Sequence, residues 1–137
     1  PAISRRTADT RHLAETYIED HLTSPDLDPV TICKALGISK ARLYRAFADS
    51  EGVTAYVRKR RLAAIHVLLN NPRETRSIGE IAYQYGFVSD AHFSRVFRQK
   101  FGFSPRDVRA GQPVALDAGA DEDDETTIFR RWIQRLS

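Results

Sequence analysis

The chain has 137 residues, 42% hydrophobic and 28% charged, which suits one ordinary domain or two very small ones and excludes a disordered chain. No apolar run approaches the roughly 18 residues that span a bilayer. Arg5 and Arg6 open an amphipathic stretch rather than a signal peptide, and the lone Cys33 excludes an internal disulfide, so no membrane role and a reducing, cytoplasmic home are expected. The net charge of +3 hides an asymmetry: residues 1–111 hold 18 Lys/Arg against 12 Asp/Glu, and residues 112–137 hold 3 against 6. A basic body suits an anionic partner. The sequence has no Met and is expected to be a fragment or a processed chain.

Apolar spacings of three and four recur while alternation never persists, so every predicted element is a helix. The first covers about 7–22, with Leu13, Tyr17 and either Ile18 or His21 on one face. "TSPDLDP" breaks it, Asp28 suits an N-cap and Pro29 the first helical position. A short helix follows with Ile32, Ala35 and Leu36 at i, i+3 and i+4, and Gly37 is placed to close it in the left-handed conformation. Ser39 caps the next helix, which carries Leu43, Ala46 and Phe47 inward until Gly52 interrupts. A longer helix over about 53–69 has Val57, Leu62, Ile65 and Leu69 as core. After "NNPRETR" the pattern restarts: Ile78, Ile81, Ala82 and Tyr85 in one helix ended by Gly86, then Phe93, Val96 and Phe97 in a helix capped by Ser89 and interrupted by Gly102. Ser104 and Pro105 begin a last short helix that stops near Gly111.

The two halves match. Ile32 pairs with Ile81, Cys33 with Ala82 and Gly37 with Gly86; after one inserted residue near Val88, Ser39 pairs with Ser89, Leu43 with Phe93, Arg45 with Arg95, Phe47 with Phe97 and Gly52 with Gly102. Two copies are too few for a solenoid and suit a duplicated small unit. Each copy is a short helix, a tight Gly turn and a Ser-capped second helix, the helix-turn-helix plan in which the second helix can enter a DNA major groove. Such a helix needs large apolar anchors on one face and a free opposite face. That explains why "SDAHFSRVFRQKFGFSP" (89–105) mixes four Phe rings with Arg95, Arg98 and Lys100. The free faces fall on Ala41, Tyr44, Arg45 and Ala48 in the first copy and on Ala91, Ser94, Arg95 and Arg98 in the second.

"IGEIAYQYGFVSDAHFSRVFRQKFGFSPRDVR" resembles the C-terminal signature of the AraC/XylS transcription regulators. "VTICKALGISKARLYRAF" is similar to their first helix-turn-helix, and "YVRKRRLAAIHVLL" to their linker helix; the likeness covers about residues 7–111. It implies an all-α domain of about seven helices: a first helix-turn-helix subdomain with the linker helix over 7–71 and a second over 72–111. Beyond the likeness, residues 112–137 read as an acidic linker and an amphipathic tail, with an extra C-terminal helix as an option. The likeness also implies sequence-specific reading of two adjacent major-groove segments of double-stranded DNA, about 34 Å apart. By the same likeness the first recognition helix meets bases from Ala41, Tyr44 and Arg45, and the second from Asp90, Ala91, His92, Ser94 and Arg95. Ala41 and Ala91 depart from hydrogen-bonding readout, and Asp90 either accepts from cytosine N4 or caps its helix. RNA polymerase and an N-terminal sensor or dimerisation domain absent from this sequence are the implied protein partners.

Arg45 and Arg95 are the expected guanine readers, against the alternative of solvated arginines or internal ion pairs. Lys40, Arg42, Arg58, Arg61, Arg98 and Arg109 are the expected phosphate contacts; the alternative for "RKRR" (58–61) is a wet helix face. His92 sits either at a base, at a phosphate or at the rim; Tyr44 packs on a thymine methyl, bonds a phosphate or is simply half-exposed; His66 and Cys33 read as structural. His12 and His21 fit no zinc spacing, so no metal or other cofactor is expected. Ser89, Asp90 and His92 sit close in sequence, but Ser89 is better used as a cap and no catalytic set is expected. Two alternatives stand beside DNA reading: a helix-turn-helix pair used for protein contact, and the AraC-type part of a fused alkyl-transfer repair protein. In the tail, Ile128, Phe129, Trp132, Ile133 and Leu136 form an amphipathic stripe that either docks on this domain, a sister chain or a missing sensor domain or is a frayed tail. The acidic run 117–125 before it is either simply solvated or competes with DNA for the basic body.

Overall fold

The computed structural model describes residues 2–111. The acidic run and the amphipathic stripe lie outside the described residues. Within them the chain folds into seven α-helices: α1 (Ala2–Asp20), α2 (Pro29–Leu36), α3 (Lys40–Ala46), α4 (Val53–Leu69), α5 (Ile78–Gln84), α6 (Asp90–Phe101) and α7 (Pro105–Arg109), with one 3-10 turn at Ala48–Ser50. No strand occurs among the described residues, so the all-α expectation holds. No described helix is long and apolar enough to cross a membrane. The chain divides into two compact units, and the boundary falls inside α4, after Ala63.

In the first unit, α1 packs on α2 and α3. Asp28 Oδ1 accepts from the Thr31 amide at 2.8 Å and Pro29 opens α2, as the sequence predicts. That hydrogen bond is the main reason the Asp28 carboxyl titrates below its usual range. Gly37, at φ 65°, closes α2 in the left-handed region and donates its amide to the Cys33 carbonyl. Ser39 Oγ accepts from the Arg42 amide at 3.1 Å and starts α3. Leu43, Ala46 and Phe47 are all buried, as are Val53, Val57 and Leu62 from α4.

Three expectations fail in this unit. The buried row of α1 is Thr10, Ala14 and Ile18, while Leu13 is 54% exposed. Small side chains let α3 approach α1, and that selects Ala14 over the bulkier neighbour. In α2, Cys33 rather than Ala35 is buried beside Ile32. Ala48 leaves the free face of α3, because α3 ends at Ala46 and Ala48 opens the 3-10 turn. The repeat explains the early stop. Phe101, the third anchor of the second copy, corresponds to Glu51, a charged residue that cannot be buried there and that adopts φ 62°.

In the second unit, Ser77 Oγ accepts from the Glu80 amide at 3.1 Å and caps α5, with Ile81 and Ala82 buried. Along α6, Phe93, Phe97 and Phe101 form one row at i+4 spacing, all at or below 1% exposure. The rings follow one another in tilted contact: Phe87 to Phe93 at 5.2 Å, Phe93 to Phe97 at 5.6 Å and Phe97 to Phe101 at 4.7 Å between centroids. His66 of α4, itself buried, lies 4.4 Å from the Phe101 ring, which bears out its structural reading. Val96, one step off this row, is only half-buried. Gly102 ends α6 at φ 79°, and Ser104 caps α7 through the Asp107 amide.

Candidate nucleic-acid interface

The two second helices, α3 and α6, share a local construction that follows from their sequences. Each begins at a serine in extended conformation whose hydroxyl accepts an amide three residues on. Each buries an anchor row at i and i+4, Leu43 and Phe47 or Phe93 and Phe97. The opposite side is therefore turned outward by helical geometry. All eight residues expected at bases are exposed: Ala41, Tyr44 and Arg45 on α3, and Asp90, Ala91, His92, Ser94 and Arg95 on α6. Tyr44 is 49% exposed. Among the described residues Arg45 and Arg95 carry no ion pair. Ser89 Oγ accepts from the His92 amide at 3.2 Å, so the hydroxyl is committed to the cap. The Asp90 carboxyl turns toward α5, where a Cβ added at Gly79 would lie 3.7 Å from Oδ1. No group of residues suited to hold a metal ion occurs among the described residues.

The six arginines and lysines expected at phosphates divide into two sets. Lys40, Arg58 and Arg98 are exposed. Arg42, Arg61 and Arg109 are half-buried and bonded within their own unit. Arg42 Nε donates to Thr10 Oγ1 at 2.8 Å. Arg61 donates through Nε to the Leu22 carbonyl at 3.0 Å and through Nη2 to the Ser24 carbonyl at 2.9 Å, and burial lowers its pKa from the usual value. It thus closes the turn after α1. Arg109 Nη2 donates to the Glu74 carbonyl at 3.0 Å and ties α7 to the segment before α5. Of "RKRR", Arg58 and Lys59 face water, Arg60 is paired with Glu19, and Arg61 is tied inward, so the wet-face reading covers only part of the run.

Two residues that shape this interface escape a reading by periodicity. Thr10 is buried at 1% exposure, where its hydroxyl donates to the Arg6 carbonyl at 2.9 Å and accepts from Arg42. Arg11 reaches the far end of α3: Nη1 donates to the Ala46 carbonyl and to Asp49, Nη2 to Ser50 Oγ, and the guanidinium lies 5.1 Å from the Phe47 ring centroid. Polar residues in a helix-period scan register only as breaks in the apolar row, and nothing local marks a partner more than 30 positions away. The Ser77 cap did have a local signal, the capping-box spacing Ser77 to Glu80.

A model described as "Helix-turn-helix domain" matches residues 32–111. The chain is similar to proteins named "HTH-type transcriptional activator RhaS". It is 32% identical to that of Enterobacter sp. (strain 638) over 102 residues, 73% of this chain and 36% of the relative. It is 32% identical to that of Escherichia coli O139:H28 over 108 residues, 77% of this chain and 38% of the relative. It is 33% identical to that of Citrobacter koseri over 102 residues, 73% and 36% respectively. The chain thus spans little more than a third of the length of these curated relatives. No solved structure matches it.

Proposed function

The chain belongs to the AraC/XylS family of helix-turn-helix transcription regulators, and from that premise we propose that it binds double-stranded DNA in a sequence-specific manner and reads two adjacent major-groove segments. The observation that carries this reading is the two-sidedness of α3 and α6. Each buries a row of large apolar anchors and leaves an arginine and an alanine exposed on the other side. Arg45 and Arg95 donate to guanine O6 and N7, a bidentate contact worth about 1–3 kcal/mol of discrimination. Ala41 and Ala91 keep the helix backbone close to the bases, Tyr44 supplies ring contact, and Asp90, His92 and Ser94 read at the start of α6. Lys40, Arg42, Arg58, Arg61, Arg98 and Arg109 neutralise phosphates, which sets register and affinity rather than base choice. In this reading residues 7–71 and 72–111 are two reading subdomains, the chain acts in the cytoplasm as part of a regulator and not as an enzyme, and RNA polymerase and an N-terminal sensor or dimerisation domain are its protein partners.

The test is a fluorescence-anisotropy titration of a duplex recovered by selection, against a random duplex, at several salt concentrations. The expected result is tighter binding to the selected duplex, with log K falling against log salt at about −0.9 per phosphate neutralised. Arg95→Ala should weaken binding to the selected duplex about 5–150-fold and relax the preference at a single base pair. Equal affinity for selected and random duplexes would contradict the reading.

A further inference from the structure

We propose that Thr10 of α1 is a positioning residue for the first recognition helix: its buried hydroxyl presets Arg42 for a DNA phosphate, while Arg11 fixes the opposite end of the same helix. This rests on the DNA-reading function proposed above and deepens it.

Thr10 is 1% exposed and faces α3, a place where a valine of the same shape would pack without an unmet polar group. The hydroxyl is instead used in both directions. It donates to the Arg6 carbonyl at 2.9 Å and accepts from Arg42 Nε at 2.8 Å. Arg42 is the third residue of α3, between Lys40 and the exposed Arg45. A free arginine loses side-chain entropy when a phosphate immobilises it. Holding Nε removes much of that freedom in advance and leaves both Nη nitrogens to donate in the fork geometry that suits phosphate oxygens. A phosphate contact made by a fixed cation also fixes how far the helix sits along the groove. At the other end, Arg11 donates to the carbonyl of Ala46, the last residue of α3, and to Ser50 Oγ at 2.7 Å, and lies over the rings of Phe47 and Tyr56. The seven-residue α3 is thus gripped at both ends by adjacent residues of α1. The twelve-residue α6 is held by its three phenylalanines instead. Glu51 stands where the third ring would be, and the polar grip compensates for that missing anchor.

The experiment measures affinity of the 137-residue chain for a selected duplex at several salt concentrations, at a temperature where circular dichroism shows each variant folded. Thr10→Val should weaken binding about 3–10-fold and reduce the salt slope by about 0.9, the contribution of one phosphate. Thr10→Ser should bind like the parent. Arg42→Ala should show the same loss, and Thr10→Val should add nothing to it, the coupling expected of residues acting through one contact. Arg42→Lys, which keeps the charge and loses the Nε donor, should also weaken binding, and it reports independently should Thr10→Val not fold. A Thr10→Val chain with parental affinity and slope, an undiminished Thr10→Val penalty in the Arg42→Ala background, or an Arg42→Lys chain that binds like the parent would overturn the proposal. A parent chain that prefers no duplex would instead overturn the DNA-reading function itself.

Discussion

Arg45 and Arg95 occupy matched positions in the repeat, and both are exposed with no ion pair among the described residues. Other charges are spent inside the fold. Arg76 forms two hydrogen bonds to the Glu74 carboxylate, through Nε at 2.9 Å and Nη2 at 3.0 Å, and also pairs with Gln84. These bonds hold the Glu74 carboxyl down to about 2 from an ordinary 4.5. Its folded value is therefore the lower one. Its stabilising contribution is complete above about pH 4.5 and drains away as pH falls toward 2. Thermal melts across that window should show the parent losing stability faster than Glu74→Gln; parallel curves would remove Glu74 from the account. At this scale the sequence was informative wherever a residue acts on its own neighbourhood. Asp28, Ser39, Ser89 and Ser104 cap helices because a short oxygen-bearing side chain meets amides three residues on. It was silent on Thr10 and Arg11, whose partners lie 32 and 35 positions or more away.

Among the elements, the turn after α2 and the α5 helix make a contrast in glycine use. Gly37 sits at φ 65° with open space around a would-be Cβ, so Gly37→Ala meets strain without a clash and should cost about 1–2 kcal/mol. Gly79 lies within α5, where a Cβ would make ordinary contact at 3.7 Å. Gly79→Ala should therefore stabilise by about 0.4–1 kcal/mol. Denaturant midpoints of the two variants moving in the same direction would contradict this. The aromatic row of α6 makes a second prediction. Phe97→Ala should cost about 3–5 kcal/mol, and Val96→Ala about 1 kcal/mol, since only the former opens a cavity in a fully buried row. Equal losses would show that the row is not the anchor. The anchors of α3, α4 and α6 were legible because one face of each is consistently large and apolar. α1 was not, since its buried face is made of Thr10, Ala14 and Ile18 and its most conspicuous apolar residue, Leu13, faces water. Close helix approach rewards small side chains there, and hydrophobic size points the wrong way. The shortness of α3 was visible in hindsight in Glu51, the charged residue at a position that its repeat partner fills with Phe101.

For the molecule as a whole, the duplicated plan makes one statement that neither copy makes alone. Under the proposed function each helix-turn-helix reads one short box, and two in one chain specify a pair of boxes without a second subunit. In the function proposed above, the net charge of +6 over residues 1–111 supplies the long-range attraction, and the exposed faces of α3 and α6 are the proposed source of sequence choice. The chain spans little more than a third of the length of its relatives, and the proposal assigns only DNA reading to these residues. The measurement that tests this most directly is selection of binding sites from random duplexes with the 137-residue chain. The account predicts a bipartite motif, two short boxes whose centres lie about 10–10.5 base pairs apart, with guanine positions that lose preference in Arg45→Ala and in Arg95→Ala, one box for each variant. Recovery of a single box affected by only one of the two substitutions, or of no enriched sequence, would contradict it.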